Sequence, residues 1–132
     1  MGDLSRNFSR SEFACPHCGK AEIDSLLVAA LQRIRDRAGP VVVTSGYRCP
    51  VHNEAVGGVK NSQHLYGKAA DIYVPGMSQV ALLALVREMV VNEEIYVGYA
   101  YAIKNSKRAV HVDVRIPESN TVRGWLSSRR KT

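Results

Sequence analysis

At 132 residues, 45% hydrophobic and 23% charged, the chain has the size of one domain with a full core and the composition of a folded globular protein, which excludes intrinsic disorder. Eighteen Lys and Arg against twelve Asp and Glu give a formal charge of +6, which suits a polyanionic partner. No apolar run approaches the ~20 residues of a membrane span, so no membrane partner is expected.

The charge is not organised for nucleic acid. Arg33, Arg35 and Arg37 share one helical stretch, Lys104, Lys107 and Arg108 sit near a turn, and only Arg129-Arg130-Lys131 forms a run. With no recognised binding motif beside them, no nucleic-acid partner is expected. Residues Met1 to Asn7 lack the apolar core of a secretory signal, so the expectation is a chain made in the cytoplasm that reaches any outside substrate by another route. Three cysteines, an odd number, argue against a fully paired disulfide framework.

In chain order, residues 1–13 are polar, with Phe8 and Phe13 as anchors against the body and Ser9, Ser11 and Glu12 as a weak capping signal. Cys15-Pro16-His17-Cys18-Gly19 is a tight CxxC knuckle. Asp24 opens a helix whose apolar positions Leu27, Ala30, Leu31 and Ile34 recur at helical spacing, and Gly39-Pro40 stops it. Val41 to Ser45 is β-branched and reads as a buried strand. Residues 47–63 read as one long glycine-punctuated loop, a length that is often functional. Ala70 to Val74 is a second strand with Asp71 and Tyr73 on the face opposite Ala70, Ile72 and Val74. Ser78 caps a helix over 79–91. Ile95 to Ile103 and Ala109 to Arg115 are strand-like, joined by a turn at 104–107. In the second of these His111, Asp113 and Arg115 face away from Val110, Val112 and Val114. The order predicts an α+β fold: a small, mainly antiparallel sheet with flanking helices, in one domain over 1–132.

His64, Asp71 and His111 offer two imidazoles and a carboxylate, the donor set of a hydrolytic zinc site that keeps one position open. Gly67 lets the chain turn between His64 and the strand of Asp71, and a partner strand brings in His111. The bland alternative is three polar residues with no common task. Cys15-x-x-Cys18 and Cys49-x-x-His52 have the pair spacing of a second, structural zinc site, with His17 as a rival to His52. A Cys15–Cys49 or Cys18–Cys49 disulfide, or three reduced thiols, are the alternatives.

Ser62-x-His64-x-x-Gly67-x-Ala69-x-Asp71, the preceding Ser45-Gly46-Tyr47-Arg48 and the later His111-x-Asp113 resemble the motifs of the zinc D-Ala-D-Ala carboxypeptidases of the M15 peptidase family. Asn53, Gly57 and Gly58 resemble its phage and bacterial branch, and the similarity runs from about Phe8 to Trp125. The same fold underlies the hedgehog signalling domain and the L-alanyl-D-glutamate endolysins. The resemblance implies a zinc peptidase acting on peptidoglycan stem peptides, as a carboxypeptidase or an endopeptidase, in the manner of a phage lysis enzyme. It implies zinc ligation by His64, Asp71 and His111, and a substrate carboxylate held by Arg48, whose planar guanidinium suits bidentate contact. A salt bridge across the loop is the other reading of Arg48. Ser62 either bonds substrate or holds the loop.

One departure stands out. Several relatives carry Glu or Asp three residues before the second histidine ligand, where this chain has Arg108, which accepts no proton. Asp113 is the nearest substitute as catalytic base; equally, it orients a ligand or pairs with Arg115. The expected protein is a monomer. A zinc-containing, non-catalytic wall- or protein-binding module of the same fold is the competing reading, and Arg108 is its support.

Overall fold

The computed structural model describes residues 2–116; the basic run at Arg129 and the end of the resemblance at Trp125 lie outside them. Three helices, α1 (Ser25–Ala38), α2 (Pro50–Ala55) and α3 (Gln79–Val91), accompany four strands, β1 (Val42–Ser45), β2 (Ala69–Tyr73), β3 (Tyr99–Ala102) and β4 (Val110–Asp113). The strands form one antiparallel sheet in the order β1-β2-β4-β3. The fold is α+β, as the pattern of elements requires. No helix among the described residues is long and apolar enough to cross a membrane.

The helices begin and end where their chemistry dictates. Asp24 accepts from the Leu26 N–H and caps α1, and the Gly39 N–H returns to the Arg35 carbonyl. Ser78 caps α3 through the Ala81 N–H. Leu27, Leu31 and Ile34 of α1, and Leu82, Val86 and Met89 of α3, are fully buried. They share one hydrophobic cluster with Ala70 and Ile72 of β2 and Val110 and Val112 of β4. Phe8 and Phe13 join it, their rings 6.0 Å apart, so the polar N-terminal segment is pinned by two aromatic anchors. Burying a side chain of this size stabilises a fold by about 1.5–3 kcal/mol, which explains how a short segment with little secondary structure stays in place.

The strands thereby acquire two unlike faces. One packs into the core; the other carries Asp71, Tyr101, His111 and Asp113. Register fixes this: Asp71 pairs with His111 across β2–β4, and Tyr101 pairs with His111 across β3–β4. A slip by one residue would carry both site residues into the core.

Three expectations need correction. Val42 to Ser45 is not a buried strand, because β1 lies at the sheet edge and its residues are half-buried or, at Thr44, exposed. Residues 47–63 are not one loop. Cys49 takes an extended N-cap conformation and Pro50 occupies the first helical turn, so α2 forms there, and Gln63–Tyr66 makes a turn of 3-10 helix. The last two strands are shorter than their apolar patterns, reduced to Tyr99–Ala102 and Val110–Asp113.

Gly67 closes that 3-10 turn in the left-handed region at φ 69, and its carbonyl accepts from the Asp24 N–H that starts α1. A Cβ at Gly67 would lie 2.2 Å from the Glu22 carbonyl oxygen. Gly67→Ala is therefore expected to destabilise the protein by ~2 kcal/mol or more, combining backbone strain with a clash that only backbone movement relieves. The urea unfolding midpoint measures it.

Candidate metal centre

His64 is the second residue of the 3-10 turn leading into β2, and it is buried to 2% exposure. Ser62 caps the turn by accepting from the His64 N–H, so it helps to hold the loop, and it also lines the cleft above. The ring is fixed by the backbone: Nδ1–H donates to the Gly46 carbonyl at 2.7 Å, leaving Nε2 facing Asp71 Oδ1 at 3.2 Å. His111, on β4, is held from the other side. Its Nε2–H donates to Asp113 Oδ2 at 2.7 Å, and its Nδ1 faces the same Asp71 oxygen at 3.1 Å. Tyr101 stacks on the His111 ring, 4.5 Å between centroids.

Each ring thus spends its N–H outward and turns its remaining nitrogen inward, toward a carboxylate oxygen. Three acceptors meeting in a buried place repel one another unless a proton or a cation lies between them. His64, Asp71 and His111 are so placed that one ligand atom of each lies within 4.8 Å of the others, and they can hold a metal ion. A borderline cation of the zinc class, which takes imidazole and carboxylate together, fits this donor set. The hydrogen bonds from the outward ring nitrogens to Gly46 and Asp113 are the second layer such a site requires.

Arg48 and Asp113 stand behind the ligand atoms. Arg48 spreads its guanidinium over three partners: Ser45 Oγ at 3.2 Å, Asn53 Oδ1 at 3.1 Å and Asp71 Oδ2 at 3.5 Å. Asn53 is itself buried, donating to the Val59 carbonyl, and a Cβ at Gly58 would fall 2.1 Å from its Oδ1. The salt bridge across the loop is therefore present, and two of the five guanidinium N–H groups remain for another partner. Asp113 is fully buried, and both its oxygens are engaged by His111 and Arg115.

Of the two readings of Asp113, catalytic base or partner of a ligand and of Arg115, these contacts favour the second. Asp113 is not among the residues bordering the cleft over the metal centre, a cavity of about 360 Å³ lined by Arg48, Ser62, Tyr101, Lys104 and Arg115 among others. Arg108 is also elsewhere, its guanidinium 3.7 Å from the centre of the Tyr73 ring. Among the described residues lining the cleft, Asp71 is the one carboxylate.

Two side chains and one backbone carbonyl escaped the sequence reading. Tyr101 and Lys104 come from the hairpin whose register only the folded turn sets, and the Gly46 carbonyl carries no side-chain signal at all. Burial, with the Asp71 and Asp113 carboxylates, pushes the Tyr101 hydroxyl above its ordinary value, so it remains a proton donor at neutral pH.

Of the cysteine set, Cys15, Cys18 and Cys49 are gathered within 4.8 Å of one another, as the spacing suggested. Neither histidine is gathered with the three sulfurs: the His52 backbone N–H and the His17 Nδ1 each lie 3.4 Å from the Cys49 sulfur, but neither ring belongs to the group.

A buried histidine–aspartate–histidine centre on the polar face of a small antiparallel sheet is the arrangement of a metal-dependent hydrolase. The chain belongs to the M15 peptidase family, whose model, Peptidase M15, matches residues 6–113. It is similar to the zinc D-Ala-D-Ala carboxypeptidase of Streptomyces albus G, 37% identical over 71 residues. That match covers 52% of this chain and 28% of the relative, so the chain corresponds to less than a third of that protein's length. The crystal structure of the Serratia marcescens L-Ala D-Glu endopeptidase ChiX superposes with a TM-score of 0.53 at 19% identity, covering 71% of this chain and 81% of that one; the likeness is one of fold.

Two outcomes follow for metal binding. Asp113→Asn keeps the shape but loses the charge behind His111, and zinc affinity should fall roughly 10–100-fold in competition with a chromogenic chelator. Burial lowers the His111 pKa, but its hydrogen bonds to the Asp113 and Asp71 carboxylates outweigh it and raise the group above its ordinary value. Metal must then displace a proton, so affinity should weaken as pH falls through that raised value, with proton uptake or release tracked by calorimetry in two buffers.

Proposed function

We propose that residues 1–132 form a single zinc peptidase domain that hydrolyses peptide bonds in peptidoglycan stem peptides. The observation that carries this is the convergence of His64 Nε2, His111 Nδ1 and Asp71 Oδ1 beneath a cleft bordered by three cations, Arg48, Lys104 and Arg115. His64, Asp71 and His111 would hold the ion. Zinc bound there supplies a Lewis acid for the scissile carbonyl and lowers the pKa of bound water toward ~7.

The chain's own residues do the rest. Arg48 is already oriented by Ser45, Asn53 and Asp71, and it offers its two remaining N–H groups to a carboxylate of the substrate, at the peptide terminus or on a side chain. The guanidinium needs no reordering when substrate arrives, so little conformational entropy is lost. Tyr101, kept protonated, presents a hydroxyl donor to the cleft, suited to a carbonyl oxygen that gains negative charge. Asp113 keeps the His111 ring in one tautomer, with its inward nitrogen free. The exposed side chains of Val56, Val59 and Tyr101 give the rim an apolar component that matches the alanine methyls of a stem peptide.

Carboxypeptidase and endopeptidase action differ in which carboxylate Arg48 would grip, and the cationic border serves either. A role in cell-wall lysis, such as a phage requires, agrees with the net charge of +6 and an anionic wall, and rests on the same site. The protein is proposed to act as a monomer and without nucleic acid.

The test is incubation of the purified protein with muropeptides, with products identified by mass spectrometry. Chelator-sensitive cleavage of a stem-peptide bond is the expected result; intact muropeptides at full zinc occupancy would refute the proposal. His64→Ala should abolish cleavage while leaving the circular dichroism spectrum unchanged. Arg48→Lys should lower kcat/KM by about 10²-fold, since an ammonium cannot reproduce the fork that braces Asp71 and grips substrate.

A further inference from the structure

Away from the cleft, the three cysteines meet although they come from segments more than thirty residues apart. The Cys15 and Cys49 sulfurs are 3.7 Å apart, and the Nδ1 of His17 lies 3.4 Å from the Cys49 sulfur. A disulfide would need ~2.05 Å. A tetrahedral metal with ~2.3 Å bonds to sulfur places two of its sulfur ligands roughly 3.8 Å apart. The observed spacing is that of ligands to one ion.

The backbone is shaped for the same purpose. Cys15-Pro16-His17-Cys18-Gly19 folds back on itself, with the Gly19 N–H on the Cys15 carbonyl and the Cys15 N–H on the Lys20 carbonyl, both at 2.7 Å. This turn aims the His17 and Cys18 N–H groups at the Cys15 sulfur and the Lys20 N–H at the Cys18 sulfur. The Cys49 N–H adds a contact to Cys15 Sγ at 3.5 Å, and the His52 N–H reaches Cys49 Sγ at 3.4 Å. Every sulfur receives at least one backbone N–H, and such donors favour the thiolate, the form that binds metal. Three thiolates this close repel one another, and a divalent cation relieves that repulsion.

We propose that Cys15, Cys18, Cys49 and His17 form a second, structural site for a divalent cation of the zinc class, independent of the His64–Asp71–His111 centre. His17 is assigned as the fourth donor because its Nδ1 already lies 3.4 Å from the Cys49 sulfur; its exposed ring stands outside the group of three sulfurs and has to turn toward the other two when the ion binds. The site ties the N-terminal knuckle to the N-cap of α2. Cys49 directly follows Arg48 and opens the helix that carries Asn53, so the ion fixes the wall of the cleft from behind. The Tyr47 N–H bonded to the Phe13 carbonyl at 2.8 Å is a neighbouring backbone link between these segments that does not involve sulfur.

Metal analysis of the purified full chain should give two zinc ions per molecule. Cys18→Ser, at an exposed position, should remove one, and His64→Ala should remove the other. Cobalt provides a signature that activity does not: a thiolate-to-cobalt charge-transfer band in the near ultraviolet should persist in His64→Ala and vanish in Cys49→Ser. His17→Ala should speed zinc loss to a chelator at least tenfold while His52→Ala leaves it unchanged; the reverse order would overturn the choice of His17. Thiol titration after denaturation with chelator should count three free thiols. A single zinc insensitive to cysteine replacement, the absence of the cobalt band, or only one titratable thiol would overturn the site. Failure here leaves the proposed peptidase activity untouched, because muropeptide cleavage depends on the other centre.

Discussion

The Asp71 carboxylate facing two inward imidazole nitrogens is the constraint from which the rest of the structure follows. A buried carboxylate carries a desolvation cost, and burial alone would raise its pKa. Hydrogen bonds to His111 and His64 reverse the direction and hold Asp71 well below the usual carboxylate range. Arg48 adds a cation on its other oxygen. The group is thus held as an anion in a place where only a proton or a metal can satisfy all three acceptors at once. The Gly46 carbonyl and Asp113 then decide which nitrogen of each ring is offered.

Such a centre needs a stiff support, and the sheet supplies it. Antiparallel pairing puts Asp71 directly opposite His111. Cross-strand partners lie within side-chain reach, so the two ligands meet without loops to carry them. The apolar face of the same strands, packed in one cluster with α1 and α3, makes the register costly to change. Stability and chemistry share the same β2–β4 pair, on opposite faces.

The wall of the cleft has a different logic. Residues 47–63 have little apolar burial of their own, Asn53 and Ser62 being the buried positions there, and they are held by polar contacts. Asn53 ties Arg48 to the Val59 carbonyl, and the sulfur cluster anchors the other end. Arg48 therefore sits at the junction of two networks, one reaching Asp71 and one reaching the cysteines. A substrate carboxylate gripped there would meet a guanidinium already fixed in direction.

Much of this was written in the chain. Helical periodicity with Asp24, Gly39 and Ser78 at the boundaries placed α1 and α3, because caps act within a few residues and need no distant partner. Alternation in 110–115 put His111 and Asp113 on one face, and the motif around His64 and Asp71 marked the residues that meet His111 in the folded chain. What local pattern cannot carry is register and distance. The 2.7 Å contact of Asp113 with His111 and its burial beneath Arg115 are both fixed by tertiary packing. The 3.4 Å approach of the His17 ring to the Cys49 sulfur depends on how a knuckle near the N-terminus meets the cap of α2. Short-range chemistry determined the elements and the donor types; only the folded chain decided which nitrogen, which oxygen and which sulfur face one another, because those are contacts between residues far apart in sequence.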